Sequence, residues 1–187
     1  MTFFQLLMLG ASAFFAFKIY EHIQTLKDDE DDIQHTETDK IESLISQADD
    51  EMQNGDFQKA LAIYSEANYK LPNNAEILFK MGFALMQQDR VDEAIEYYQD
   101  TLKLDDNSPA IHQALASAYR TQGNFEKAKY HLDSSLLIND KNPITYYNYG
   151  NLLVDMKEFE DAKEMYQQAL ELDSDFKEAK EELEKIS

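Results

Sequence analysis

The chain has no cysteine among its 187 residues. That excludes disulfides, thiolate metal sites and thiol nucleophiles together, and leaves the redox compartment open. Basic side chains are scarce, with 17 Lys and Arg against 37 Asp and Glu and a formal net charge of -20. Phosphate binding needs clustered cations, so nucleic acid is excluded as a partner. The charge favours solubility and selects basic or apolar partners instead. Glycine occurs only 5 times and forms no Gly-rich phosphate loop; no zinc-ligand spacing or nucleophile–base pattern replaces it. Long hydrophobic runs are missing too, except at the start.

Residues 1–17 carry no charged side chain. Extended through Ile19 and Tyr20, they reach about the minimum of ~17–20 residues for a helix across a bilayer core. Tyr20 suits the headgroup region, and Lys18 can snorkel toward it. A cleaved signal is the rival: Ala11-Ser12-Ala13 has the small-x-small form, but no Lys or Arg precedes it and apolar sequence follows it. A third reading is an apolar helix packed on a partner. The expectation is an uncleaved anchor over 1–20, contacting membrane through 3–20. Lys18 and Lys27 after the run put the remainder on the cytoplasmic side, in a bacterial inner membrane given the short uncharged N-terminus. Residues 21–40 hold eight acidic side chains and read as a solvated linker; His22 and His35 beside them lack a helix-fixed metal spacing.

From Ile41 onward the same residue kinds return every 34 positions. Phe57, Val91, Phe125 and Phe159 fall in step, as do Ala60, Ala94, Ala128 and Ala162, then Tyr64, Tyr98, Leu132 and Tyr166. A period of this length predicts stacked copies of one helix pair. The pairs are expected at 43–54 with 57–70, 75–88 with 91–104, 109–122 with 125–138, and 143–156 with 159–172. Ser108-Pro109 and Asn142-Pro143 place a cap before a proline at the first helical position. Gly55 and Gly123 mark turns that need positive φ, while Asp89 and Lys157 occupy the matching turns and imply strain or another geometry. Asp175 and Glu178 suggest a capping box opening a last amphipathic helix, which would cover the final repeat.

These residues resemble the tetratricopeptide-repeat (TPR) family. Small residues stand where its two helices approach: Ala48, Gly82, Ala116 and Gly150, then Ala60, Ala94, Ala128 and Ala162, then Ala67, Thr101, Ser135 and Ala169. The family's early tryptophan is replaced by Leu44, Leu78, His112 and Tyr146, and its terminal proline survives only as Pro72. The implied fold is all-α: a right-handed α-solenoid of four TPR-like pairs (41–74, 75–108, 109–142, 143–176) and a capping helix at 175–187, preceded by one transmembrane helix. The repeat domain spans 41–187.

The resemblance also implies a concave groove lined by first helices. By register its residues are Ile45, Asp49 and Met52; Phe79, Phe83 and Met86; Gln113, Ser117 and Arg120; Tyr147, Asn151 and Val154; with Lys80 and Asn148 at the rim. Ile45 and Asp49 stand where the family's carboxylate clamp has Lys and Asn, so that clamp is missing. What remains is apolar at one end and polar at the other, which suits an extended or helical peptide with apolar anchors. His112 and His131 read as packing or surface residues, and no cofactor, metal or catalytic role is implied. The expected function is a membrane-anchored, non-enzymatic scaffold holding a protein or peptide in its groove. Self-assembly between copies, or an accessory role beside a catalytic partner, are the alternatives.

Overall fold

The structure, a computed structural model, describes residues 18, 20–22, 24 and 37–187. It divides into two units, Met1–Ser43 and Leu44–Ser187. In the first unit every described residue is helical, including 37–40, which the charge density had assigned to a linker.

The second unit is a helical-repeat solenoid. Its elements are α1 (44–54), α2 (Phe57–Lys70), α3 (Ala75–Met86), α4 (Val91–Leu104), α5 (Pro109–Thr121), α6 (Phe125–Ile138), α7 (Pro143–Asp155), α8 (Phe159–Leu172) and α9 (Lys177–Lys185). First helices α3, α5 and α7 each pack on their own second helix, α1 is tied to α2 by hydrogen bonds from Tyr64 and Lys59, and successive pairs join through α2–α3, α4–α5, α6–α7 and α8–α9. First helices α3, α5 and α7 also touch one another in series.

The small residues explain the close pairing. Ala60, Ala94, Ala128 and Ala162 are all fully buried, and Tyr64, Tyr98, Leu132 and Tyr166 beside them are 0–1% exposed. A Cβ on Gly82 would sit 2.6 Å from the Tyr98 ring, and one on Gly150 would sit 2.4 Å from the Tyr166 ring. Those two glycines therefore admit an aromatic ring where a methyl group would collide with it.

All four turns within pairs close the same way. The amide of Asp56 donates to Glu51, Arg90 to Leu85, Asn124 to Tyr119 and Glu158 to Leu153, at 2.8–3.0 Å. This six-to-one bond needs a left-handed residue just before the donor. Gly55 and Gly123 supply it at φ +80° and +78°, and Asp89 and Lys157 adopt it at +57° and +66°. The two non-glycine turns thus keep the glycine geometry and carry its strain.

Three local expectations differ. The capping box at Asp175 does not form: α9 starts at Lys177 with Phe176 as its boundary residue and no side-chain cap. Phe176 instead packs on Tyr147, ring centroids 5.1 Å apart. Ser108 also makes no side-chain cap, whereas Asn142 accepts from Ile144 at 3.0 Å. Phe159, in step with half-buried Phe57 and Phe125, is 46% exposed. Phe125 and Met156, from the next pair's turn, line one recess and both pack against the central core.

The membrane reading is overturned. Among the described residues no helix is long and apolar enough to cross a bilayer. Helices α2 to α9 run 9–14 residues, against the ~20 apolar residues a span requires. The assignment to a single-pass protein of a bacterial inner membrane with cytoplasmic repeats, and the membrane contact through 3–20, are withdrawn. The apolar run over 1–17 itself lies outside the described residues.

Candidate protein-binding groove

Among the described residues, clefts open along the first-helix face. The first cleft, about 280 Å³, lies between α1 and α3 and is lined by Asp49, Met52, Gln53, Tyr64, Lys80 and Phe83. Phe83 is 48% exposed within it. Lys80 Nζ reaches both carboxylate oxygens of Asp49, at 2.7 and 2.6 Å, and lies 3.4 Å from Glu76. Tyr64, buried in α2, donates its hydroxyl to the same Asp49. Burial first, then the Asp49 carboxylate, hold the Tyr64 phenol well above the usual tyrosine range, so it stays a donor. Asp49 is thereby fixed on two sides.

The second cleft, about 250 Å³, lies between pairs two and three. Phe79 and Ile111 give it an apolar floor, and Glu76 and Asp105 stand at its edge. Phe79 is half-buried and tilted against Tyr98, centroids 5.5 Å apart. Met86 packs with it against the central core. The recess between pairs three and four is much smaller and includes Ser117, Arg120 and Asn148. Arg120 there pairs with Asp155 at 3.3 Å.

The groove residues expected from register therefore fall into groups. Asp49, Met52, Lys80 and Phe83 share one cleft; Ser117, Arg120 and Asn148 share the recess. Gln113 is committed elsewhere: its amide donates to buried Thr145 at 2.6 Å, and Ser135 lies 3.1 Å from the same hydroxyl. Asn151 accepts from Tyr166 at 2.7 Å. Tyr147 lies tilted against both Tyr166 and Phe176, while Ile45 and Val154 are half-buried. Glu76 and Asp105 were missed by register reasoning. The tie between Asp49 and Tyr64 was also missed, although its signal was present: a polar ninth residue with Tyr fifteen positions later recurs as Asn151 with Tyr166.

The buried histidines form a pair. His112 Nδ1 and His131 Nδ1 are 3.0 Å apart, so one ring donates the single proton between them. Burial lowers the His112 pKa. Burial, then His112 and Lys127, push His131 down to about 4. His131 also stacks on Tyr119 with 9° between the ring planes. The pair is part of the core. Among the described residues no group of three His, Asp or Glu is placed to hold a metal.

Models described as tetratricopeptide repeat match residues 51–118 and 107–175, together more than half of the chain. The chain belongs to the tetratricopeptide-repeat family. It is similar to the TPR repeat-containing protein YpiA of Bacillus subtilis, 26% identical over 125 residues, which is 67% of this chain and 29% of that protein. RNA polymerase II-associated protein 3 of Mus musculus is 30% identical over 113 residues, 60% of this chain and 17% of its own length. The chain thus spans less than a third of either relative. Among solved structures, MamA superposes with a TM-score of 0.64 at 26% identity, covering 74% of this chain and 81% of that one. The first TPR of Spaghetti (RPAP3) bound to HSP90 peptide SRMEEVD gives 0.56 at 29%, covering 60% and 89%.

Proposed function

We propose that this TPR chain is a non-catalytic docking scaffold that holds a segment of a partner protein along its first-helix face. The repeat domain is taken as 41–187, with α9 closing the last pair. One observation carries the reading: Phe83 stands 48% exposed in a cleft with Met52, although the helices beneath it are closely packed around buried Tyr64 and Tyr98. What sets Phe83 apart from a singly exposed residue such as Tyr69 is that it shares a cleft with Met52, and an uncovered apolar patch of that kind marks an interface. The RPAP3 domain bound to an HSP90 peptide supports peptide docking as a use of this architecture.

A photo-crosslinking residue at Phe83 tests it against one at Tyr69, which is 88% exposed in the second helix of its pair. Capture of one discrete partner from position 83 but not from 69 is expected. Equal capture from both positions defeats the groove. A second reading, self-assembly, is favoured by Tyr130 and Leu137, which are 65% and 90% exposed two turns apart on α6. Sedimentation of the full chain decides that one, since a concentration-independent monomer is incompatible with it.

A further inference from the structure

We infer that the occupant of this groove is a basic segment with apolar anchors, its Lys or Arg meeting Glu76 and Asp105 while the anchors enter the Phe83 and Phe79 clefts. The inference rests on the docking proposal above and adds the chemistry of the partner. Its starting point is where the groove's cations go. Lys80 lies between Asp49 and Glu76, at 2.6 and 3.4 Å. Arg120 is paired with Asp155. Both cations among the expected groove residues are therefore already matched by the chain's own carboxylates. An acidic peptide would have to displace those carboxylates to find a counter-charge, whereas a basic one meets no such competition.

The carboxylates, by contrast, are in excess. Glu76 shares one lysine with Asp49, leaving the group Asp49, Glu76 and Lys80 one negative charge in surplus. Among the described residues Asp105, on the same cleft as Glu76, faces no cation and accepts from the Asn107 amide at 3.3 Å. The apolar floor of Phe79 and Ile111 lies directly beside these two acids. Apolar floor and acidic rim together match a side-chain pair such as Leu with Arg on one face of a partner helix. The net charge of -20 adds long-range attraction for such a segment and speeds its encounter.

The test is selection of a random displayed peptide library on the full chain, followed by affinity measurement on variants. Enriched peptides are expected to carry net positive charge and Leu, Phe or Met anchors. Glu76→Lys and Phe83→Ser should each weaken them by about tenfold, with helical circular dichroism unchanged. Added salt should weaken them further, through the charge term alone. Enrichment of acidic or uncharged peptides that still depend on Phe83 overturns the inference and leaves the docking proposal standing. So does loss on Phe83→Ser with no response to Glu76→Lys. No enrichment, or binding indifferent to Phe83, overturns both.

Discussion

Tyr166 donates its hydroxyl to Asn151 at 2.7 Å, and three repeats earlier Tyr64 makes the same bond to Asp49. One geometry thus serves a neutral acceptor in the last pair and a charged one in the first. A charge-assisted bond is worth roughly twice a neutral one. Double-mutant cycles of Tyr→Phe with the acceptor→Ala should therefore give a coupling of about 2 kcal/mol for Tyr64 with Asp49 and about 1 kcal/mol for Tyr166 with Asn151. Urea unfolding measures both. Equal couplings would mean that the Lys80 ion pair already satisfies Asp49.

Gly82→Ala should destabilise the chain, because the new methyl group meets the buried Tyr98 ring at 2.6 Å. Overpacking of this kind costs about 1–3 kcal/mol, partly offset by the better helix propensity of alanine. The third pair suggests the rescue. Ala116 and Leu132 stand at the equivalent positions and are both buried. Tyr98→Leu in the Gly82→Ala background should recover part of the loss, visible as a higher melting temperature than the additive expectation.

Most of this architecture is legible in the repeat register. Ala60, Ala94, Ala128 and Ala162 recur at one phase because each must let two helix backbones approach, and each is fully buried. Helices α2, α4, α6 and α8 begin and end where the period places them. First helices α3, α5 and α7 end one or two residues early, since the six-to-one turn bond takes their last residues. What register could not show is who bonds whom within the face. Gln113 and Phe83 occupy groove positions alike, yet Gln113 turns to Thr145 while Phe83 stays in the open. Such choices depend on neighbours a full repeat away, and a one-repeat consensus does not contain them. The single-pass localisation failed for a different reason: no described helix is long and apolar enough to span a bilayer, and the run over 1–17 that prompted it lies outside the described residues.

Lys157→Gly and Asp89→Gly should each raise stability. Both residues hold φ near +60° in turns where Gly55 and Gly123 do so without a Cβ. The left-handed region costs a non-glycine residue about 1–2 kcal/mol, and the extra freedom of glycine in the unfolded chain returns part of that. A net gain of about 0.5–1 kcal/mol per site is expected, read as a shift in the urea midpoint at unchanged slope. Lys157→Ala, which keeps the Cβ, should give none of it.

Acid should loosen the third pair first. His131 is held near pH 4 by burial, by His112 and by Lys127, against 6.5 for an ordinary histidine. The groups around it are His112 at 3.0 Å, the stacked Tyr119 and the edge-on Tyr130, with Lys127 over the Tyr119 ring at 4.8 Å. None is a carboxylate that would welcome a second proton. Because the folded pKa is depressed, the unfolded chain binds more protons between pH 6.5 and about 4, so stability is full above that window and falls as pH drops through it. The loss attributable to the pair should reach roughly 2–3 kcal/mol, over and above any contribution from carboxylates. Replacing both rings, as in His112→Leu with His131→Phe, should remove this component. Urea midpoints measured from pH 7 to 4 on both chains give the comparison. Parallel curves would show that the two histidines ionise freely inside the fold, and that their shared proton contributes nothing to its acid sensitivity.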